Sequence, residues 1–571
     1  MTTTSNKFQK QWEISTPPNL DGFADAGTGL PALIRTLLAK RGILDTESAR
    51  NYLAKSKKLT DPALMPNISK AVNRLVQSCE NNEKIGIFGD FDVDGITATT
   101  LLTEGLANLG LSPISYIPDR FSEGYGPNMN AIKKLAQQGV TLLITADCGT
   151  SSVKEIDQAN HLGMEVIIID HHSIPSVLPT AYTIVNPKLN SSYGSEPAAV
   201  GVAYKVLTAL YEKMEVPYDH IETQSLVALG TICDLVPLVG ENRDLVRLGL
   251  EAIRSTNRPG LLALANESNL DLSEITAETL GWNFGPKINA AGRMKHGEIA
   301  LQLLLTKNKI EAQTLAIELN NLNQQRRHNT EKATAILSEK INNLDLQKPL
   351  IITGDSTISS GIVGLAAARI ADQFSRPAIV MQIGEHESRG SCRSVNGFNI
   401  VELLQRHKDL FIKFGGHHGA AGFTINSERI DELKNRFFED LKSHFPSNKI
   451  KSELEIDERL KLNNNHEQTM QWIDLIGPYG IGNKAPIFLS EKIKIVAKSS
   501  VGKNKEHLQL KLMHTQQLWD AIHFNSNYHD LRVDEYVDIV FSLEHNNFRG
   551  QKKLQLQIKD CLLYTSPRPR D

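Results

Sequence analysis

Apolar positions change period several times along the chain. In Leu30-Pro31-Ala32-Leu33-Ile34-Arg35-Thr36-Leu37-Leu38 they have helical spacing, and Thr46-Glu47-Ser48-Ala49 has the composition of a helix start. From Lys84 onward, short apolar runs of strand length alternate with helical segments. Lys84–Gly89, Pro113–Pro118, Val140–Ala146 and Met164–Ile169 read as the strands, and the alternation predicts a doubly wound parallel sheet. Residues 307–345 read as one long helix with Leu315, Ile317, Leu319 and Leu322 in its apolar set. After Pro349, Leu350–Gly354 and Ala378–Met381 open a second α/β block. From about Ile450, Ser452–Asp457, Ile487–Ala497, His507–Met513, Trp519–His523 and Val537–Leu543 read as short strands, the pattern of a small barrel.

Composition changes this picture little. A chain of 571 residues is too long for one core and predicts three or four domains. With 40% hydrophobic and 22% charged residues and a formal net charge of -3, the make-up is that of an ordinary soluble globular protein. A net charge near zero neither supports nor excludes nucleic acid; a polyanion site would be a local basic patch beside an acidic metal centre. Cys79, Cys148, Cys233, Cys392 and Cys561 form no CxxC pair, which suggests neither a disulfide framework nor a thiolate zinc site. Met1 to Gln11 is polar, with no apolar signal core, and no run reaches the length of a membrane span. A reducing cytoplasm is the expected setting.

Candidate chemistry gathers at element ends, where doubly wound sheets carry their sites. Asp90, Asp92 and Asp94 stand at alternate positions between the Lys84–Gly89 run and the helix that follows. Three carboxylates so placed cannot all face a core unpaired. At a strand end they converge on a hard divalent cation, and Gly95 allows a tight turn into the helix. Alone, the stretch also reads as a solvated acidic loop or a lone calcium-type loop. Asp147 follows Leu142–Ala146, Asp170-His171-His172 follow Val166–Ile169, and Asp234 ends the apolar helix Ser225–Cys233. Singly, Asp147 is more often a helix cap than a ligand, and paired histidines are often surface residues. Asp234 is disfavoured by the helix dipole and wants a cation nearby. Jointly, four element ends delivering carboxylates and imidazole to one edge of one sheet are poorly accounted for by capping. Mixed Asp/His ligation points to manganese or magnesium ahead of zinc.

Further along lie candidates for binding. Arg120 and Tyr125 occupy a glycine-containing loop, where they also read as a surface charge and loop packing. Arg293 follows the small residues Asn289-Ala290-Ala291-Gly292, where a guanidinium can meet a phosphate bidentately. Gly390-Ser391-Cys392-Arg393-Ser394 and the stretch from Gly415 to Gly422, which contains His417, read as glycine-rich turns suited to phosphate; either alone also reads as tight packing.

Asp92-x-Asp94, Asp147 and Asp170-His171-His172 resemble the motifs of the DHH phosphoesterase superfamily. Within it, Gly89–Gly95, Ile117–Gly126, Thr145–Gly149, Ile169–His172, Val227–Asp234 and Asn289–Arg293 resemble, in this order, the RecJ group of bacterial single-strand exonucleases. The resemblance covers almost the whole chain and implies an α/β architecture with this organisation: a helical extension (1–80), a doubly wound parallel-sheet DHH catalytic domain (81–306) and a long connecting helix (307–345). A second α/β domain, the substrate-binding DHHA1 domain (346–448), follows, then an OB-type β-barrel (449–563) entered through Ile476–Asn483. Residues 564–571 break the strand pattern and read as a basic tail or a sequence artefact.

The same resemblance implies a two-metal phosphodiesterase using Mn²⁺ or Mg²⁺. Asp94, Asp147, His171 and Asp234 hold one ion, Asp92 and Asp147 help to hold the second, and Asp90 acts from behind them or through a water. The ions polarise the scissile phosphate and make a metal hydroxide for in-line attack, with His172 touching the phosphate or the leaving group. Phe88 stands where many relatives place a histidine, which implies a weakly held second ion that arrives with substrate. Arg120 helps to read the 5′ terminus, Tyr125 offers a base a stacking face, and Ser391, Arg393 and His417 bind the strand. Lys484, Lys503 and Lys505 serve the barrel.

The expected function is a metal-dependent exonuclease that hydrolyses single-stranded DNA 5′ to 3′ into mononucleotides in DNA repair and recombination. The polarity is inherited wholly from the resemblance, as is the expectation of a monomer working in the cytoplasm with a helicase and a single-strand-binding protein. A phosphodiesterase for short oligonucleotides, cyclic dinucleotides or pyrophosphate is the alternative, though it needs no strand-binding barrel. A non-catalytic scaffold is opposed by the intact Asp92, Asp94, Asp147, His171 and Asp234.

Overall fold

The apolar runs after Lys84 become strands buried on both faces, as a parallel sheet covered by helices requires. Five strands align all parallel in the order Ile114–Tyr116, Ile85–Gly89, Leu142–Ala146, Glu165–Ile169, Thr183–Val185. Alternate side chains serve the two faces. Ile87, Ile144 and Ile169 pack with the helices Ile68–Glu80, Val93–Asn108 and Ala199–Lys213. Phe88, Leu143 and Ile168 pack with Met129–Gln137 and Val153–His161. The first strand in sequence lies second in the sheet, so the chain winds one way from it and then the other. The crevice of that reversal opens at the carboxyl ends of Ile85–Gly89 and Leu142–Ala146.

The computed structural model describes residues 11–563 except 17–18, 24–28, 55–58, 343–347, 396–397, 445–452, 463–465, 503, 527, 529 and 549–550. The 564–571 tail and Lys503 therefore lie outside the described residues. Contacts divide the chain into two units, Lys58–Ile450 and a second made of Met1–Lys57 with Lys451–Asp571. None of the described helices is long and apolar enough to cross a membrane.

In the first unit a helical layer, including His220–Cys233 and Gly285–Met294, leads to the connecting helix Lys309–Lys340. Asn308 caps that helix by accepting from the N–H groups of Ile310 and Glu311. Leu319 is fully buried in it, with Leu315 and Leu322 packed at the core margin. Ile317 instead points outward and is 44% exposed, because it stands two residues from Leu319, on the opposite side of a 3.6-residue turn.

Beyond the helix a five-stranded mixed sheet runs Phe411–His417, Ala420–Asn426, Glu387–Arg393, Ala378–Gln382, Ile351–Asp355. Here the first glycine-rich segment, up to Arg393, is a strand and not the turn expected from sequence, and the second is a hairpin whose turn is confined to His418-Gly419. Ser391 and Arg393 face Gly422 and Ala420 across an antiparallel ladder, and Gly415 and Gly416 face Gly422 and Ala421. Packing explains the glycines: a Cβ on Gly390 would stand 2.2 Å from the Phe423 ring. Gly95 departs from expectation in the same way. It lies inside the helix Val93–Asn108, and a Cβ there would meet Asp90 backbone at 2.7 Å, so close approach and not a turn selects glycine.

In the second unit Phe488–Val501 pairs with both His507–His514 and Tyr536–Phe548. Gln517–His523 and Gln551–Leu563 complete the ring, giving a closed five-strand barrel. The first helices of the chain belong here. Ile34, Leu37 and Leu38 from Ala32–Ala39 join Phe488, Leu510 and Phe541 in one core, and strand Gln11–Ile14 pairs with Glu453–Ile456.

Candidate functional site

Every carboxylate singled out by the sequence lies at an element end around the sheet crevice. Asp90 closes the strand Ile85–Gly89, Asp92 caps the helix Val93–Asn108, and Asp94 occupies its first turn. Asp92 is oriented by accepting from the N–H groups of Asp94 and Gly95 at 3.0 and 3.2 Å. Asp94 lies across the amino terminus of Ala199–Lys213 and accepts from Ala199 N at 2.6 Å and Val200 N at 2.9 Å. Asp147 follows Leu142–Ala146 with φ +65°, a left-handed conformation that aspartate tolerates. Asp234 is the C-cap of His220–Cys233.

These groups converge. His171 Nε2 lies 3.3 Å from Asp147 Oδ1, 3.5 Å from Asp234 Oδ2 and 3.9 Å from Asp94 Oδ2. Ligand atoms of Asp94, His171 and Asp234 lie within 4.8 Å of one another; so do those of Asp90, Asp92 and Asp147, and those of Asp147, His171 and His172. Asp147 and His171 thus belong to adjoining groups. Asp90 Oδ1, Asp147 Oδ1 and His171 Nε2 are buried and have no hydrogen-bond partner, an arrangement that is costly unless a cation satisfies them. Burial, then the charge of Asp92, raises the Asp94 carboxyl to about 7. Burial, then Asp94 and Asp92, raises Asp234 to about 9, with Lys188 pulling the other way. Asp90 and Asp147 are pushed up by burial and neighbouring carboxylates too. Burial and the charge of His172 hold His171 down at about 3, leaving a neutral imidazole with a lone pair to give. The residues present fit a hard divalent cation bound by oxygen and imidazole.

Asp170 has a different task. It accepts from the backbone N–H groups of His171, His172 and Thr150 at 2.8, 3.2 and 3.1 Å, and His172 Nδ1 lies 2.7 Å from it. Burial would raise its carboxyl, but the hydrogen bond and charge of His172 outweigh that and hold it below the usual range. The reciprocal effect outweighs burial at His172 and raises its imidazole. Tyr125 donates to the Asp147 carbonyl at 3.0 Å, and its hydroxyl lies 3.2 Å from His172 Nδ1. Half of the Tyr125 side chain remains exposed. Phe88 is fully buried in the apolar layer and stacked on Tyr116 at 5.5 Å.

Beside the carboxylates is a cavity of about 400 Å³ lined by Arg120, Arg293, Ser391 and Arg393. Arg120 spans the two regions: its guanidinium lies 4.6 Å from the Phe91 ring, and burial lowers it while Asp90 and Asp92 raise it. Burial, then Arg120 and Arg326, brings Arg293 down to about 9. Cations drawn together in this way call for an anion between them. His417 does not line the cavity; it is exposed at the hairpin tip, where it accepts from Gly419 N at 3.3 Å. Sequence reasoning missed Arg389 and the start of the helix Val363–Phe374, with Ser360 and Gly361, which also line it. A Cβ on Gly364 would lie 3.2 Å from Ser391 Oγ, so this helix start faces the serine closely. Ser359-Ser360-Gly361 followed by a helix was the available signal.

Comparison with known proteins matches residues 84–231 to the DHH family, N-terminal domain, 347–443 to the DHHA1 domain and 456–560 to the RecJ OB domain. The single-stranded-DNA-specific exonuclease RecJ of Bacillus subtilis is 36% identical over 536 residues, covering 93% of this chain and 68% of the relative. Its namesake in Haemophilus influenzae is 34% identical over 559 residues, covering 92% and 95%. Thermus thermophilus RecJ in complex with Mn²⁺ superposes with a TM-score of 0.83 at 27% identity, covering 97% of this chain and 80% of that one. The same protein with Mg²⁺ gives 0.77 at 26% identity, covering 97% and 79%.

Proposed function

The chain belongs to the family of RecJ single-stranded-DNA-specific exonucleases, and on that premise we propose how its own residues carry the reaction. It is a metal-dependent nuclease of single-stranded DNA that uses Mn²⁺ or Mg²⁺. The observation that carries the reading is the meeting of two opposed environments: buried Asp and His atoms lacking partners, and an arginine-lined cavity beside them.

Asp94, Asp147, His171 and Asp234 would hold one ion, and Asp90, Asp92 and Asp147 would offer a place for a second, to which Phe88 offers no donor. Bound there, divalent cations supply Lewis-acid polarisation of the phosphodiester and make a water more acidic. The protein's own groups do the positioning. Arg293, Arg393 and Ser391 receive the 5′-terminal phosphate, and Arg120 lies between it and the scissile linkage. Asp170 fixes His172 through Nδ1, so the imidazole is presented to the scissile phosphate or the leaving oxygen. Tyr125, with its hydroxyl on Asp147 and His172, stands at the carboxylate cluster and not in the cavity, and His417 stands outside the cavity at the hairpin tip. The barrel extends binding by charge and stacking. Release of mononucleotides from the 5′ end, a part in repair and recombination, a monomeric state, a cytoplasmic setting and helicase or single-strand-binding companions belong to this reading through the resemblance.

A time course on single strands labelled at either end tests it. Early mononucleotide release from the 5′ label with Mn²⁺, late loss of the 3′ label and none under chelation are expected. Intact long strands with cleaved dinucleotides would overturn it. Arg393→Ala should weaken strand binding about tenfold while affecting a generic phosphodiester less.

A further inference from the structure

The acidic centre has a second cationic neighbour that the proposed reaction leaves unused. The edge strand Thr183–Val185 leads into the short turn Pro187–Leu189, which carries Lys188. Asn186 anchors this turn. Fully buried, it donates through Nδ2 to the His172 carbonyl at 3.0 Å, and its Oδ1 accepts from Lys188 N at 2.9 Å. The turn is therefore tied to the loop that bears His171 and His172. The Lys188 charge acts on His171 and Asp234, whereas that of Arg120 acts on Asp90 and Asp92. Arg120 lines the arginine cavity and Lys188 does not, so the two cations beside the cluster belong to different surroundings.

Lys188 is held by an exchangeable partner. Its Nζ lies 3.5 Å from Glu196 Oε2, and the Glu196 side chain is 66% exposed, so the pair contributes little and is readily given up. Glu196 sits just before Ala199 and Val200, whose N–H groups hold Asp94, so both partners stand on segments that position metal-ligand candidates. A strand with its 5′ phosphate among Arg293 and Arg393, and its scissile phosphate over the carboxylates, can continue past the His172 loop, to which the Lys188 turn is tied. The next anion it brings there is the phosphate between its second and third nucleotides.

We propose that Lys188 is a substrate-positioning residue that exchanges Glu196 for the phosphate one nucleotide 3′ of the scissile linkage, which makes the enzyme favour a continuing strand over a dinucleotide. The assignment rests on the reading that the 5′ end occupies the arginine cavity.

The test compares first cleavage of 5′-phosphorylated, end-labelled oligonucleotides by the full chain with Mn²⁺, using native strands and strands with one neutral methylphosphonate at the second linkage. Either Lys188→Gln or the neutral linkage should lower kcat/KM about tenfold, and the two together no further than either alone. Lys188→Gln should also flatten the salt dependence by about 0.7 in the log–log slope. Lys188→Arg should retain most of the rate, and Glu196→Gln should lower KM on native strands only. If Lys188→Gln and the neutral linkage multiply, or Glu196→Gln leaves KM unmoved, the assignment is wrong although the 5′ reading stands. Release from the 3′ label by the unaltered protein would overturn the reading and the assignment with it.

Discussion

Asp94 and Asp234, the proposed ligands, show what gathering buried carboxylates costs a protein. Both carboxyls ordinarily titrate at 3.8, and in the folded chain they are raised to about 7 and about 9. Between the ordinary value and these folded values the native state keeps protons that the unfolded chain releases, so stability is lost as pH rises. The chelated protein should therefore melt progressively lower from pH 5 to about 8, and Mn²⁺ should reverse the loss most strongly at the upper end, as calorimetry would read. Asp234→Asn should raise the melting temperature of the chelated protein at pH 7.5 by a few degrees while removing its response to Mn²⁺. His171→Ala should cut turnover by more than about 100-fold with its far-UV spectrum retained, and Asp170→Asn, which only orients, by about 10–100-fold. Retained turnover in His171→Ala would sink the ligand assignment. The residue types were legible because carboxylates spaced in this way at strand ends suit little besides a cation. Asp170 was visible, but its three backbone donors exist only once the loop has folded.

Elements were legible where burial is uniform. Leu142–Ala146 and Val166–Ile169 are buried on both faces, and runs this short suit a covered parallel strand better than a buried helix. Glycine misled, because a glycine in a turn and a glycine under an aromatic ring look alike in sequence. Gly390 is small to admit Phe423, thirty-odd residues away, and Gly95 to admit Asp90. Gly95→Ala should consequently destabilise by about 1–3 kcal/mol and weaken Mn²⁺ binding, since the added methyl pushes on Asp90. A titration unchanged from the parent would refute the close-approach argument. The last barrel strand, Gln551–Leu563, is less legible: Gly550 before it is a turn signal, but the strand opens on the polar run Gln551-Lys552-Lys553, ahead of its alternation Leu554, Leu556, Ile558.

At the scale of the molecule, the sequence reading carried the order of the parts but not which part the first helices join. Helical spacing in Leu30–Leu38 says that a face is buried and nothing about against what. The face is covered by the barrel core, where Leu37 is wholly enclosed. Leu37→Ala should cost about 2–5 kcal/mol and shift only the unfolding transition that Mn²⁺ does not stabilise. A shift in the Mn²⁺-sensitive transition would contradict that placement. The arrangement also bears on synthesis. Domains fold largely as they leave the ribosome, in chain order. Lys58–Ile450 has all its parts as soon as Ile450 has emerged, but Ile34, Leu37 and Leu38 stay uncovered until Gln551–Leu563 arrives to finish their partner. A chain cut short by an early stop would carry the whole Asp/His cluster with a bare apolar helix at its head, the kind of surface that quality-control proteases engage, so only finished copies keep that helix hidden.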